Sequence, residues 1–263
     1  MPPRPFTASL RQSAATGESD LMCGRYLLQR SPADLARYFG TVNPTPNHAA
    51  SWNIAVTQDS LVVRRHPESG ERHLDRLRWG LVPRWASDAK DAAKLMNARA
   101  EGLAEKPSFR EAFRKRRCLV PMDAFYEWRK AEDGTKQAYA VAQADGLPMA
   151  VAGLWEGWKQ PDGAWLRSYT VITTDANAKQ ALVHHRMPVV LAPEVWDAWL
   201  GEEPAEPEDL LELLVPCPAE ELLAWPVENR VGKVSENDAR LARRDPAARP
   251  PPELDDAPPD WVA

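Results

Sequence analysis

The sequence predicts an α+β fold built on one largely antiparallel sheet. Three observations lead there. Five strand candidates follow one another between Cys118 and Ala176, and several are separated by the turn signals "EDGT", "ADGLP" and "PDGA". Helix candidates lie on either side of that run rather than alternating with it. Hydrophobic content of 44% and charged content of 27% are those of a globular chain, and no apolar run approaches the ~20 residues that span a membrane as a helix.

In chain order, residues 1–22 read as a disordered leader of Pro, Ser, Thr, Ala and Gly without periodicity. "SPADLARYFG" (31–40) is a short helix with Ser31 as N-cap, Pro32 at its first position and Gly40 ending it. "TPNHAASWNIA" is loop leading into a strand, and "DSLVVRRH" (59–66) and "ERHLDRLRWGLV" (71–82) alternate as strands do. "SFREAFRKRR" (108–117) reads as helix, and the strands "CLVPM", "AFYEWRK", "QAYAVAQ", "MAVAGLWEGW" and "SYTVITTDA" follow. "AKQALVHH", "APEVWDAWLG" and "EPEDLLELL" are further helix candidates. The Pro-rich acidic end, 236–263, reads as a disordered tail, leaving one domain over 23–235.

The net charge of −5 hides an asymmetry. Ala192–Ala263 holds 18 acidic and 6 basic residues, a balance of −12, whereas Met1–Leu191 carries +7. The basic body can attract polyanions, although solvated surface charge gives the same count. Three widely spaced cysteines, Cys23, Cys118 and Cys217, fit free thiols in a reducing cytoplasm rather than a disulfide framework. No CxxC pair or His/Cys cluster has metal-ligand spacing, so no metal is expected.

Eleven tryptophans are many for this length. Trp79, Trp155 and Trp158 sit in strand patterns and read as core. Trp85 follows Pro83 and Arg84 in a loop, where an indole can stack on a base. Four polar groups lie within apolar, structured sequence: Cys23 in "MCGRY", Asn97 with Arg99 in "LMNARAE", Glu127 in "AFYEW" and His184 in "ALVHHRMPVVL". Strand alternation puts Glu127 on the face of Phe125, where partial burial would suit it to proton transfer; a rim carboxylate paired with an arginine fits the residues equally well.

The motifs "MCGRY", "NIA-TQ" (53–58, with Val56 at the gap), "RWGLVPRW", "NARAE", "RCLVPMDAFYEW", "AGLWE", "ITTDAN" and "HHRMPVVL" occur together and in order. This set resembles the SOS-response-associated peptidase (SRAP) family over Cys23–Lys233. The resemblance implies a curved, barrel-like sheet, and a protein that binds single-stranded DNA and crosslinks to abasic sites. It implies Cys23 as nucleophile after autoproteolytic removal of the preceding Met, with Asn97, Glu127 and His184 as its partners. Arg25, Asn53, Trp85, Arg99 and Arg186 are implied as DNA contacts. His185 falls where the family varies and takes no role. Some members carry a second aromatic after the tryptophan matching Trp85; Ala86 stands here, so stacking beside the lesion should be lighter. No small-molecule cofactor, a monomeric state and a cytoplasmic, nucleoid-associated location complete the expectation.

The chemistry explains why a terminal cysteine is called for. Its α-amine, with a reference pKa of roughly 7.7–8.0, attacks the sugar aldehyde to give an imine, and the thiol closes a five-membered thiazolidine. An internal cysteine has no amine to offer. Translation is therefore expected to start at Met22. Two other functions remain open on the sequence: a cysteine peptidase acting on other proteins, and a non-covalent single-strand-binding module.

Overall fold

The computed structural model describes residues 24–131 and 133–262. The leader expected over residues 1–22, and Cys23 itself, lie outside the described residues.

The chain opens with β1 (Arg25–Leu28) and α1 (Pro32–Phe39). Ser31 caps α1 by accepting from the Asp34 N–H, and Gly40 closes it in the left-handed region at φ 66°. Next come β2 (Ser51–Ala55), β3 (Asp59–Arg65), β4 (Arg72–Trp79), the short β5 (Asn97–Arg99) and α2 (Arg110–Lys115). The run of strands is β6 (Arg117–Met122), β7 (Ala124–Lys130), β8 (Lys136–Gln143), β9 (Met149–Lys159) and β10 (Trp165–Asp175). After these come β11 (Arg186–Pro188), α3 (Trp196–Leu200), α4 (Pro207–Glu212) and β12 (Leu222–Val227).

These strands form two sheets. Sheet A has the order β12-β8-β7-β1-β2. Sheet B runs β11-β10-β4-β3-β6-β9, and pairing of β9 with β10 closes five of its strands into a barrel. The α+β class, one domain and a curved sheet are thus what forms. Most pairings are antiparallel; β10 lies parallel to β4 and to β5.

Alternation gives sheet A two buried faces. Tyr26, Leu28, Phe125, Tyr139 and Val141 point at the barrel and join the main core. Tyr26 donates or accepts a 2.5 Å hydrogen bond with the Tyr169 hydroxyl across the two sheets, and its ring meets Trp79 edge-on. Leu27, Ala124, Tyr126, Ala138, Ala140 and Ala142 occupy the opposite face. That second face corrects the expected disordered tail. Leu241, Ala242 and Val262 are buried against it, and the Trp225 indole donates to Ala242 O at 2.8 Å. Small alanines on β8 let the strap lie close. Asp256 anchors it by accepting from the Ala224 N–H and from Lys179. Its composition suggested disorder, but a few apolar anchors suffice to hold it.

Two further expectations are revised. "AKQALVHH" forms only a single 3-10 turn at Gln180–Leu182, because the chain must reverse at once into β11. "APEVWDAWLG" divides into a 3-10 turn at Pro193–Val195 and α3. Trp79, Trp155 and Trp158 are buried, as their strand pattern predicts.

Candidate nucleic-acid site at the rim between the sheets

The described chain starts beside Glu127. In β1 and β7 Arg25 pairs with Tyr126, so the next position outward sets Gly24 level with Glu127. Glu127 shares the barrel-facing side of β7 with Phe125 and is only 5% exposed. One of its oxygens accepts from the Trp128 N–H at 3.1 Å. A β-carbon built on Gly24 would sit 3.9 Å from the Met96 side chain, so the residue before Asn97 closes the other side. Met96 is itself pinned, its carbonyl accepting from the Trp79 indole at 2.9 Å and from the Val171 N–H at 3.0 Å. Gly24, Met96 and Glu127 therefore meet at one rim of the junction between sheets, with Asn97 the next residue along the chain.

β10 carries the rest. Asn97 pairs with Val171 and Arg99 with Thr173 on one flank, while Arg186 of β11 pairs with Asp175 on the other. Arg99 is exposed. His184 precedes β11, and its Nδ1 accepts from the Arg186 backbone N–H at 3.2 Å. On the neutral ring the proton is then carried at Nε2. The His184 and His185 rings lie 4.2 Å apart.

Two residues expected at the DNA are tied into the scaffold. Arg186 is 6% exposed: its guanidinium forms a two-pronged pair with Glu101, donates to Asp175 at 2.8 Å and to Thr173 O at 2.8 Å. Burial works against its charge, but those carboxylates outweigh it and raise its pKa. Asn53 is 1% exposed, and its amide donates to the carbonyls of Val231, Lys233 and Glu236 at 2.8–3.0 Å. It holds the segment that also accepts from Arg25 at Gly232 O, 3.2 Å. Arg25 is half-buried, and that burial lowers its pKa. Glu101, inside "NARAE", was given no role from the sequence; the acid two places after Arg99 was its only signal.

Trp85 is the reverse case, 68% exposed on a loop whose base is fixed. The Trp158 indole donates to Ala86 O at 2.7 Å, and Val82 N–H donates to the Ser168 hydroxyl at 2.8 Å. Gly80 starts this loop at φ 108°, and a β-carbon there would stand 2.7 Å from Ala92 O, so only glycine fits. A rigid mount holding an exposed indole is what base stacking requires.

Cys118 is fully buried, and burial pushes its thiol far up; the Cys217 thiol is pushed up to about 12 by burial, with Glu221 adding to it. Neither offers a thiolate near neutrality. Among the described residues no group of three or more His, Cys, Asp or Glu side chains is placed to hold a metal, and no helix is long and apolar enough to cross a membrane.

Comparison with known proteins places the chain in one family. The family described as SOS response associated peptidase (SRAP) matches residues 22–234. The abasic site processing protein YoqW of Bacillus subtilis is 36% identical over 222 residues, 84% of this chain and 98% of that protein. The abasic site processing protein HMCES of Xenopus tropicalis is 31% identical over 219 residues, 74% of this chain and 64% of that one. A crystal structure of a protein from Bacteroides thetaiotaomicron superposes with a TM-score of 0.76 at 26% identity, covering 85% of this chain and all of that one. With its motifs, its barrel and its relatives in accord over most of its length, the chain belongs to the SRAP family.

Proposed function

We propose that this protein processes abasic sites in single-stranded DNA by forming a covalent thiazolidine with Cys23 as its N-terminal residue. The observation that carries the reading is the β1–β7 register, which sets the residue following Cys23 level with a nearly buried Glu127 and against Met96, next to Asn97.

In this reading the α-amine of Cys23 adds to the C1′ aldehyde of the ring-opened sugar. Glu127 accepts the ammonium proton and returns it as the carbinolamine loses water. The thiol then adds across the imine, its proton passing to the nitrogen, and the ring closes. Loss of the iminium removes the species that would promote strand cleavage by β-elimination. His184 exchanges the proton of sugar ring opening through Nε2. The Asn97 amide does not titrate and orients the amine or the sugar oxygen. Arg25 and Arg99 face phosphate, Trp85 stacks beside the lesion, and Arg186 and Asn53 act by holding His184 and the 231–236 segment in place. The same site is proposed to release the preceding Met hydrolytically.

The test uses protein beginning at Cys23 and a single-stranded abasic oligonucleotide. A denaturation-resistant adduct should form, disappear in Cys23→Ser and persist in Cys118→Ala. Binding without any adduct sinks the covalent reading. An adduct formed at full rate by Glu127→Gln and His184→Ala together would refute their proton-transfer roles.

A further inference from the structure

A second basic surface lies beyond the Trp85 loop. Seven cations and one acid, Glu68, line a cavity of about 940 Å³ between the barrel and α2. Three of the cations serve the fold: Arg65 donates to Gly201 O, Arg116 pairs with Glu156, and Arg117 donates to Phe113 O and Trp199 O. The remaining four, Arg84, Arg114, Lys115 and Arg167, are exposed. Among them Arg114 has a loose partner, Glu111 at 3.8 Å. Arg84 also acts on the Glu156 carboxylate. Like charges crowded into one hollow repel one another, so these exposed cations favour an anionic ligand.

Two aromatic groups sharpen the chemistry. Trp165 is 57% exposed on the same wall. Its ring lies over Gly157, where an added β-carbon would meet it at 3.6 Å, so one indole face rests on the strand. Trp155 forms the floor, with the buried Arg64 guanidinium stacked on its ring at 4.3 Å. Exposed cations around an indole platform suit a flexible polyanion that carries its own flat rings, which is single-stranded nucleic acid. Arg84, Lys115 and Arg116 also line the smaller cavity beside Trp85, with Glu111 and Glu156, so the two hollows adjoin.

We propose that this groove binds the phosphodiester backbone of the single strand leaving the abasic site, with Trp165 stacking one of its bases. The proposal rests on the DNA reading above and extends it to nucleotides remote from the lesion.

The experiment compares abasic oligonucleotides of about 5 and about 25 nucleotides on wild-type protein, Arg114→Glu/Arg167→Glu, and Trp165→Ala. All three substituted residues are exposed, and thermal unfolding checks that each variant folds. The double variant should bind the long strand about tenfold more weakly, with a log–log salt slope shallower by about 1.4 for two lost phosphate contacts. Trp165→Ala should weaken long-strand binding with the slope unchanged. Adduct formation on the short strand should be the same in all three. Unchanged long-strand affinity and slope in the double variant would overturn the groove. Absence of an adduct in wild-type protein would instead overturn the Cys23 chemistry, leaving the affinity comparison to decide the groove by itself.

Discussion

Arg186 supports His184 with its backbone while its own side chain is locked. The N–H of Arg186 donates to His184 Nδ1 at 3.2 Å, and its guanidinium is clamped by Glu101, Asp175 and the Thr173 carbonyl. Arginine here fixes the place of the strand that presents the imidazole.

Replacing it should therefore cost stability and rate rather than affinity. Arg186→Ala leaves the buried Thr173 carbonyl without its donor, an expected loss of about 1–3 kcal/mol in chemical denaturation. Single-turnover crosslinking at saturating DNA should slow while the DNA dissociation constant changes little. A phosphate-gripping arginine would give the opposite pattern, with affinity lost and stability kept.

Asn53 gives a parallel case. Asn53→Ala removes one amide that serves three carbonyls. Stability should fall by about 1–3 kcal/mol, and amide exchange should accelerate first across 229–238. Normal exchange there with weakened DNA binding would return Asn53 to the role of a direct contact.

The acid limb of stability should be set by depressed carboxyls. The hydrogen bond from Arg186 holds the Glu101 carboxyl below its ordinary value, although burial opposes it, and Arg230 does the same more strongly for Asp238. A carboxyl lowered in the folded state contributes stability above its unfolded pKa and loses it as pH falls through the folded one. Exchange across 100–103 and 229–242 should be flat from about pH 8 to 5 after correction for intrinsic rates, then rise below about pH 4. Loosening as pH rises toward 8 would contradict this sign.

The C-terminal strap should guard an edge. β12 ends sheet A, and residues 244–256 occupy its free side: Asp245 N–H donates to Pro226 O, Asp256 N–H to Ala224 O, and Arg244 bridges to Val227. Truncation after Arg243 also uncovers the site of buried Leu254 and Val262, an expected loss of about 3 kcal/mol or more. Light scattering should show concentration-dependent association through the bared edge. A truncated chain that stays monomeric and equally stable would remove this role.

Features decided within a few residues could be read from sequence. Ser31, Pro32 and Gly40 specify α1 because capping is local, and alternation alone put Glu127 beside Phe125. Trp85 was legible as a loop aromatic able to stack, though not the indole and hydroxyl that fix its mount from 72 and 86 residues away. β12 was missed because Pro226 sits inside it, and an edge strand tolerates the lost donor. The partners of Asn53 and Arg186 were illegible for the same long-range reason: they lie up to 183 and 85 residues distant. The family pattern located the residues; only tertiary contacts say which face outward.

β1 is not an edge strand. It is hydrogen-bonded to β2 on one side and β7 on the other. A nucleic acid joined to the residue before Gly24 would be moored to the middle of a sheet. Tension drawn through that joint runs along β1 and loads both rows of bonds in shear, so they must yield together rather than unzip singly. A force pulling on such a tether would meet the strength of sheet A, not the slack of a chain terminus.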